Sequence, residues 1–73
     1  MEITWEDDFQ ISVTAQNGTV TISANRSGLL SLAHIITALA DEPVGSHVHL
    51  DEYNALECPS DELIIERMDG QTV

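Results

Sequence analysis

From Phe9 to Asn25 the chain reads FQISVTAQNGTVTISAN, with apolar side chains at every second position: Phe9, Ile11, Val13 and Ala15 are odd, and Val20, Ile22 and Ala24 are even. The parity changes across Asn17-Gly18, a pair suited to the positive φ angles of a two-residue type I′ turn, so the stretch predicts a β-hairpin with Gln16 opposite Thr19. Continuing that register outward pairs Ala15 with Val20, Val13 with Ile22 and Ile11 with Ala24. One face is then apolar throughout, while Thr14 with Thr21 and Ser12 with Ser23 make the other face polar. A sheet of this kind is covered on one side only.

The period changes after the hairpin. Ser27 is a suitable helix cap, GLLSLAHIITALADE follows, and Pro43 predicts the stop because proline disfavours helical geometry in the residue before it. At 100° per residue, Leu29, Leu32, Ala33, Ile36, Leu39 and Ala40 fall on one arc, which is expected to cover the sheet. Ser31, His34, Ala38, Asp41 and Glu42 are expected to face away, with Ile35 at the boundary and Leu30 outside the arc.

Alternation then returns. In SHVHL, Val48 and Leu50 share one face, and His47, His49 and Asp51 the other; DEYNALECPSDE reads as a turn-rich connection. LIIERM predicts a last strand with Leu63 and Ile65 on one face and Ile64 and Met68 opposite. MEITW is either an edge strand or irregular, Trp5 is expected to cover a core edge, and Glu6-Asp7-Asp8 marks a break. The expected architecture is α+β, in the order β-β-α-β-β: one antiparallel-rich sheet with a single helix packed on one face, forming one domain over residues 1–73.

At 73 residues the chain supports one small core, worth no more than about 3–5 kcal/mol without a metal, disulfides or a partner chain. Dimerisation therefore belongs among the expectations, through the open sheet face or an edge strand. Cys58 stands alone, which excludes an internal disulfide and fits a reducing compartment. There is no signal segment and no apolar run long enough to span a bilayer, so the cytoplasm is the expected location and no membrane partner is expected.

Charge changes the picture most. Thirteen acidic residues against Arg26 and Arg67 leave a formal net charge of −11. Such a field repels nucleic acid and anionic lipid and steers association with a basic partner. Keeping the chain soluble is the simpler use of the same charge.

His47 and His49, at alternate strand positions, project about 6–7 Å apart, a spacing that two ligands of one metal could use. A zinc site needs a third and fourth donor, and apart from Asp51 or a carboxylate across the sheet nothing has ligand spacing. A small metal-binding protein or metal-dependent enzyme built on His47 and His49 is thus the alternative reading, with no metal or other cofactor in the main one. No nucleophile with a partnering base and no glycine-rich phosphate loop is present, and Cys58-Pro59 lacks a nearby cation to lower the thiol pKa. An enzyme is not expected. What remains is a surface: His47, His49, Asp51, Glu52, Tyr53, Glu57 and Asp61 are the candidate partner-binding residues, with Tyr53 either an anchor for an interface or a ring folded over the core edge.

Three ordered segments carry a resemblance: Gly28-Leu29-Leu30-Ser31-Leu32-Ala33, then Gly45-Ser46-His47 with His49-Leu50-Asp51, then Glu62-Leu63-Ile64-Ile65-Glu66. Together they resemble the bacterial immunity protein 32 family over residues 20–66, small acidic α+β proteins of polymorphic toxin systems. After Leu56 the chain departs from the glycine-like loop of that pattern and has Glu57-Cys58-Pro59. The resemblance implies neutralisation of a cognate toxin by binding. From the charge, a toxin with a basic surface such as a nuclease cleft is expected.

Overall fold

The structure, a computed structural model, describes residues 1–70; the last three positions of the expected 1–73 domain lie outside the described residues. The hairpin forms as its sequence dictates. β1 (Ile11–Gln16) pairs antiparallel with β2 (Thr19–Ala24) in the expected register, from Gln16 opposite Thr19 to Ile11 opposite Ala24. Asn17 and Gly18 both have positive φ, 53° and 79°, which matches the right-handed twist of the flanking strands.

A 15-residue helix, α1 (Arg26–Ala40), follows immediately. Its cap is Asn25, not the expected Ser27. The Asn25 Oδ1 accepts the Gly28 N–H at 2.8 Å and the Gln10 N–H at 3.0 Å, and its Nδ2 donates to the Asp8 carbonyl at 2.9 Å. One side chain thus satisfies a free donor of the first helical turn and ties that turn to the entry of β1, which a serine two residues later cannot do. The helix ends ahead of Pro43 as expected, with the Asp41 N–H donating to the Ala38 carbonyl at 3.2 Å.

The buried stripe of α1 lies about a quarter turn from the expected one. Gly28, Ser31, Leu32, Ile35 and Leu39 are buried, whereas Leu29 and Ile36 are 55% and 54% exposed and Ala33 and Ala40 are also exposed. Two contacts account for the rotation. Gly28 lets the helix approach the hairpin so closely that a Cβ there would overlap the Gln10 carbonyl oxygen. The N-terminal segment docks along the other flank: the Ser31 hydroxyl accepts the Glu6 N–H at 2.8 Å, and His34 Nε2 meets Glu6 Oε2 at 2.9 Å. Ser31, expected to face solvent, is therefore fully buried, and His34, also expected outside, is half-covered. No strand forms in residues 1–6; Trp5 stacks on Phe9 with ring centroids 4.6 Å apart.

β3 (His47–Leu50) and β4 (Leu63–Glu66) form a second antiparallel ribbon, His47 opposite Glu66 and Leu50 opposite Leu63. The α+β class and the β-β-α-β-β order hold, with the strands arranged as two ribbons rather than one continuous ladder. The 57–61 segment bridges them along β1: Glu57 N–H donates to the Ile11 carbonyl and Asp61 N–H to the Val13 carbonyl, both at 2.8 Å. The core between helix and ribbons is Ile11, Val13, Leu32, Ile35, Leu39, Val48, Leu50, Ala55 and Leu56, flanked by Ile3, Phe9, Ala24, Leu63 and Ile65. Each fully buried aliphatic side chain contributes about 1.5–3 kcal/mol.

Candidate functional site

The alternation of β3 turns Val48 and Leu50 into the core and leaves His47 and His49 outside. Their rings meet edge to face, with centroids 4.8 Å apart. His47 Nδ1 lies 3.1 Å from the Gly45 carbonyl and His49 Nδ1 lies 3.2 Å from Glu62 Oε2. Among the described residues, no group of three or more histidine, cysteine or carboxylate side chains converges as a metal site would require. Across the ribbon Ile64 stands opposite His49 and Glu66 opposite His47, both exposed, so this outer face mixes imidazole, carboxylate and one apolar side chain. Ile64 lies on the face its alternation assigns it, opposite Leu63 and Ile65.

β3 runs directly into a closed turn. Asp51 organises it at both ends: its Oδ1 accepts the Tyr53 N–H at 2.9 Å, its N–H donates to Asn54 Oδ1 at 2.8 Å, and its carbonyl accepts the N–H groups of Ala55 and Leu56 at 3.0 and 2.8 Å. Asn54 Nδ2 donates to the His49 carbonyl at 2.9 Å, joining turn and strand. Ala55 and Leu56 are thereby pulled into the core. Tyr53 is left at the tip, 96% exposed, so the ring is not folded over a core edge. Its backbone is held in the turn while the ring itself stands in water.

The remaining candidates divide by what else they do. Glu52 Oε2 accepts the Ser60 N–H at 2.7 Å, and Asp61 Oδ2 accepts the Ala15 N–H at 2.8 Å. Both carboxylates hold the 51–61 connection in shape while remaining in contact with solvent. Glu57 lines an open depression of about 400 Å³ with Gln10, Ser12, Ser23, Ala24 and Asn25, away from the histidines. The structure thus gathers His47, His49, Asp51, Glu52 and Tyr53 along β3 and its turn, and places Glu57 and Asp61 beside β1.

Three residues outside the seven candidates contribute, of which Asn54 and Glu62 lie on the surface the sequence already assigns to the DEYNALECPSDE connection. Glu62 partners His49, Asn54 locks the turn, and Ser60 accepts the Val13 N–H at 3.2 Å. Asn54 is a residue type that favours such local bonds; the roles of Ser60 and Glu62 depend on contacts between segments distant in the chain.

The electrostatics are one-sided. Among the described residues the close imidazole–carboxylate contacts are His34 with Glu6 and His49 with Glu62, and neither arginine pairs with a carboxylate. Cys58 is exposed, and its pKa is raised by desolvation of the sulfur and by the neighbouring Glu52 and Glu57 carboxylates. That is the opposite of an activated thiol. No helix among the described residues is long and apolar enough to cross a membrane.

The domain is small and α+β, with an exposed, carboxylate-rich turn after β3. The sequence model of immunity protein 32 matches residues 19–68, more than half of the chain, from the start of β2 to just beyond β4. The chain belongs to the immunity protein 32 family. No curated protein and no solved structure matches it.

Proposed function

We propose that the protein neutralises a cognate bacterial toxin in the cytoplasm by direct binding, without catalysis of its own. Tyr53 is the anchor, His47, His49, Asp51 and Glu52 share β3 and its turn with it, and Glu57 and Asp61 extend the surface beside β1, with Glu62 added by its contact to His49. The toxin presents a basic surface, and a nuclease cleft, built to hold phosphates, is the surface that an anionic protein covers best. Nucleic acid itself is repelled by a chain of net charge −11.

The observation that carries this reading is the exposure of Tyr53 at the tip of a turn braced by Asp51 and Asn54. Preorganised aromatic residues of this kind supply interface hot spots, because their burial is not offset by a large ordering cost. The test is titration of the toxin encoded beside this chain with wild type and Tyr53→Ala. Loss of a hot spot costs about 2 kcal/mol or more, about thirtyfold in affinity. Wild-type binding should also weaken as salt is added. A tight complex indifferent to Tyr53→Ala, Glu52→Gln and salt would remove this surface from the interface.

A further inference from the structure

We infer that the outer edge of β2 is a self-association edge, joining two copies of this chain through an antiparallel β2–β2 contact. In an antiparallel pair, residues alternately direct their backbone groups toward the partner strand and away from it. On β1 the outward groups belong to Ile11, Val13 and Ala15, and the 57–61 segment engages them: Glu57 and Asp61 N–H reach the Ile11 and Val13 carbonyls, Ser60 Oγ accepts Val13 N–H, and Asp61 Oδ2 accepts Ala15 N–H. The register makes Val20, Ile22 and Ala24 the corresponding outward residues of β2. Among the described residues, no backbone or side-chain group bonds to the outward groups of Val20 and Ile22. Their side chains are 62% and 43% exposed as well.

The two edges also differ in charge, and this selects the occupant. Glu57 and Asp61 line the closed edge, whereas the open strand, TVTISA, carries no charge, no proline and no bulge, the devices that normally block edge pairing. A basic partner is drawn to the carboxylates on the other side of the hairpin. A neutral strand with free outward groups fits another neutral strand, and a second copy supplies one. Antiparallel pairing about a two-fold axis at Thr21 sets Val20 against Ile22 of the second copy, so the free N–H and C=O groups of both residues find partners and both side chains are covered. The turn bearing Tyr53 takes no part in this contact.

A six-residue edge buries well under the roughly 1,200 Å² of a standard interface, so the dimer is weak and concentration-dependent. Two copies of charge −11 repel, so added salt strengthens it, opposite to its effect on a complex with a basic toxin. The test is sedimentation of the untagged chain across concentration and salt, with amide hydrogen exchange by NMR. The expected result is a dimer at high concentration in which the Val20 and Ile22 amides gain protection, while the Thr21 and Ser23 amides, bonded within the hairpin, are protected at every concentration. Val20→Lys should weaken association about tenfold or more by setting lysines near each other across the axis. Because a lysine also lowers the overall repulsion between copies, loss of the dimer cannot arise from net charge. Leu29→Lys, on the exposed helix flank, should leave the dimer intact. A monomer under every condition, or a dimer that survives Val20→Lys, would overturn the inference, and neither outcome bears on whether Tyr53 binds a toxin.

Discussion

Gly28→Ala tests the packing on which the position of α1 depends. By helix propensity alone the change should stabilise the protein by about 1 kcal/mol, since glycine inside a helix is entropically costly. The structure reverses that sign. A Cβ at position 28 overlaps the Gln10 carbonyl oxygen and comes within 3.0 Å of both Ala24 Cβ and Ile11 Cγ1. The Gln10 carbonyl cannot swing aside, because it accepts the Asn25 N–H at 3.1 Å while the Gln10 N–H is held by Asn25 Oδ1. Relief therefore requires the helix to move off the hairpin. Overpacking of this kind costs about 1–3 kcal/mol, and straining the Asn25–Gln10 bond about 1 more. Set against the propensity gain, the net loss is about 1–3 kcal/mol, a large share of what a core this small supplies. Urea denaturation followed by circular dichroism should show a midpoint lowered by about 1–3 M for a slope near 1 kcal/mol/M, whereas Thr37→Ala at an exposed helical position should raise it slightly. A Gly28→Ala protein as stable as wild type or more so would refute the close approach.

The helix offers two paired comparisons. Ile35→Ala, at a fully buried position, should cost about 2–5 kcal/mol, while Ile36→Ala, half exposed, should cost less than about 1; similar losses at both sites would contradict the observed rotation. Asn25→Ala should destabilise by about 1–2 kcal/mol and Ser27→Ala by a few tenths, so thermal melts that rank them the other way would return the cap to Ser27. Tyr53→Ala should leave stability within about 0.5 kcal/mol of wild type, which makes any loss of toxin binding attributable to the interface. Alkylation of Cys58 should show its pH midpoint above that of the urea-unfolded chain, because desolvation and the Glu52 and Glu57 carboxylates disfavour the thiolate; an equal or lower midpoint would refute that environment.

These tests separate two jobs that carboxylates perform here. Asp51 and Asp61 accept backbone N–H groups, and removing either perturbs the connection before any partner is considered. Among the described residues Tyr53 makes no comparable side-chain bond and the Glu62 carboxylate bonds only the exposed His49 ring, so substitutions there perturb the connection less. Loss of affinity on Asp61→Ala alone would therefore say little about the interface.

The sequence by itself determined everything in which neighbours along the chain decide the outcome. Alternation across Asn17-Gly18 admits one hairpin register, because a slip of one residue would move Ile11, Val13 and Ile22 to the solvent face. The same reasoning holds for Val48 and Leu50 against His47 and His49, and for the end of α1 ahead of Pro43. Tertiary structure decided the rest. Leu29, Leu30, Leu32, Ile35, Ile36 and Leu39 spread over more than half the helix circumference, so periodicity leaves the centre of the buried stripe open. Gly28 against Gln10, and Glu6 against Ser31 and His34, settled it. Asn25 and Ser27 are both sound caps locally, and only the contacts of Asn25 with Gln10 and Asp8 distinguish them. The closure of β1 by Ser60 and Asp61, more than forty positions away, leaves no local periodic trace, because it joins segments whose separation the folded core alone brings to hydrogen-bond distance.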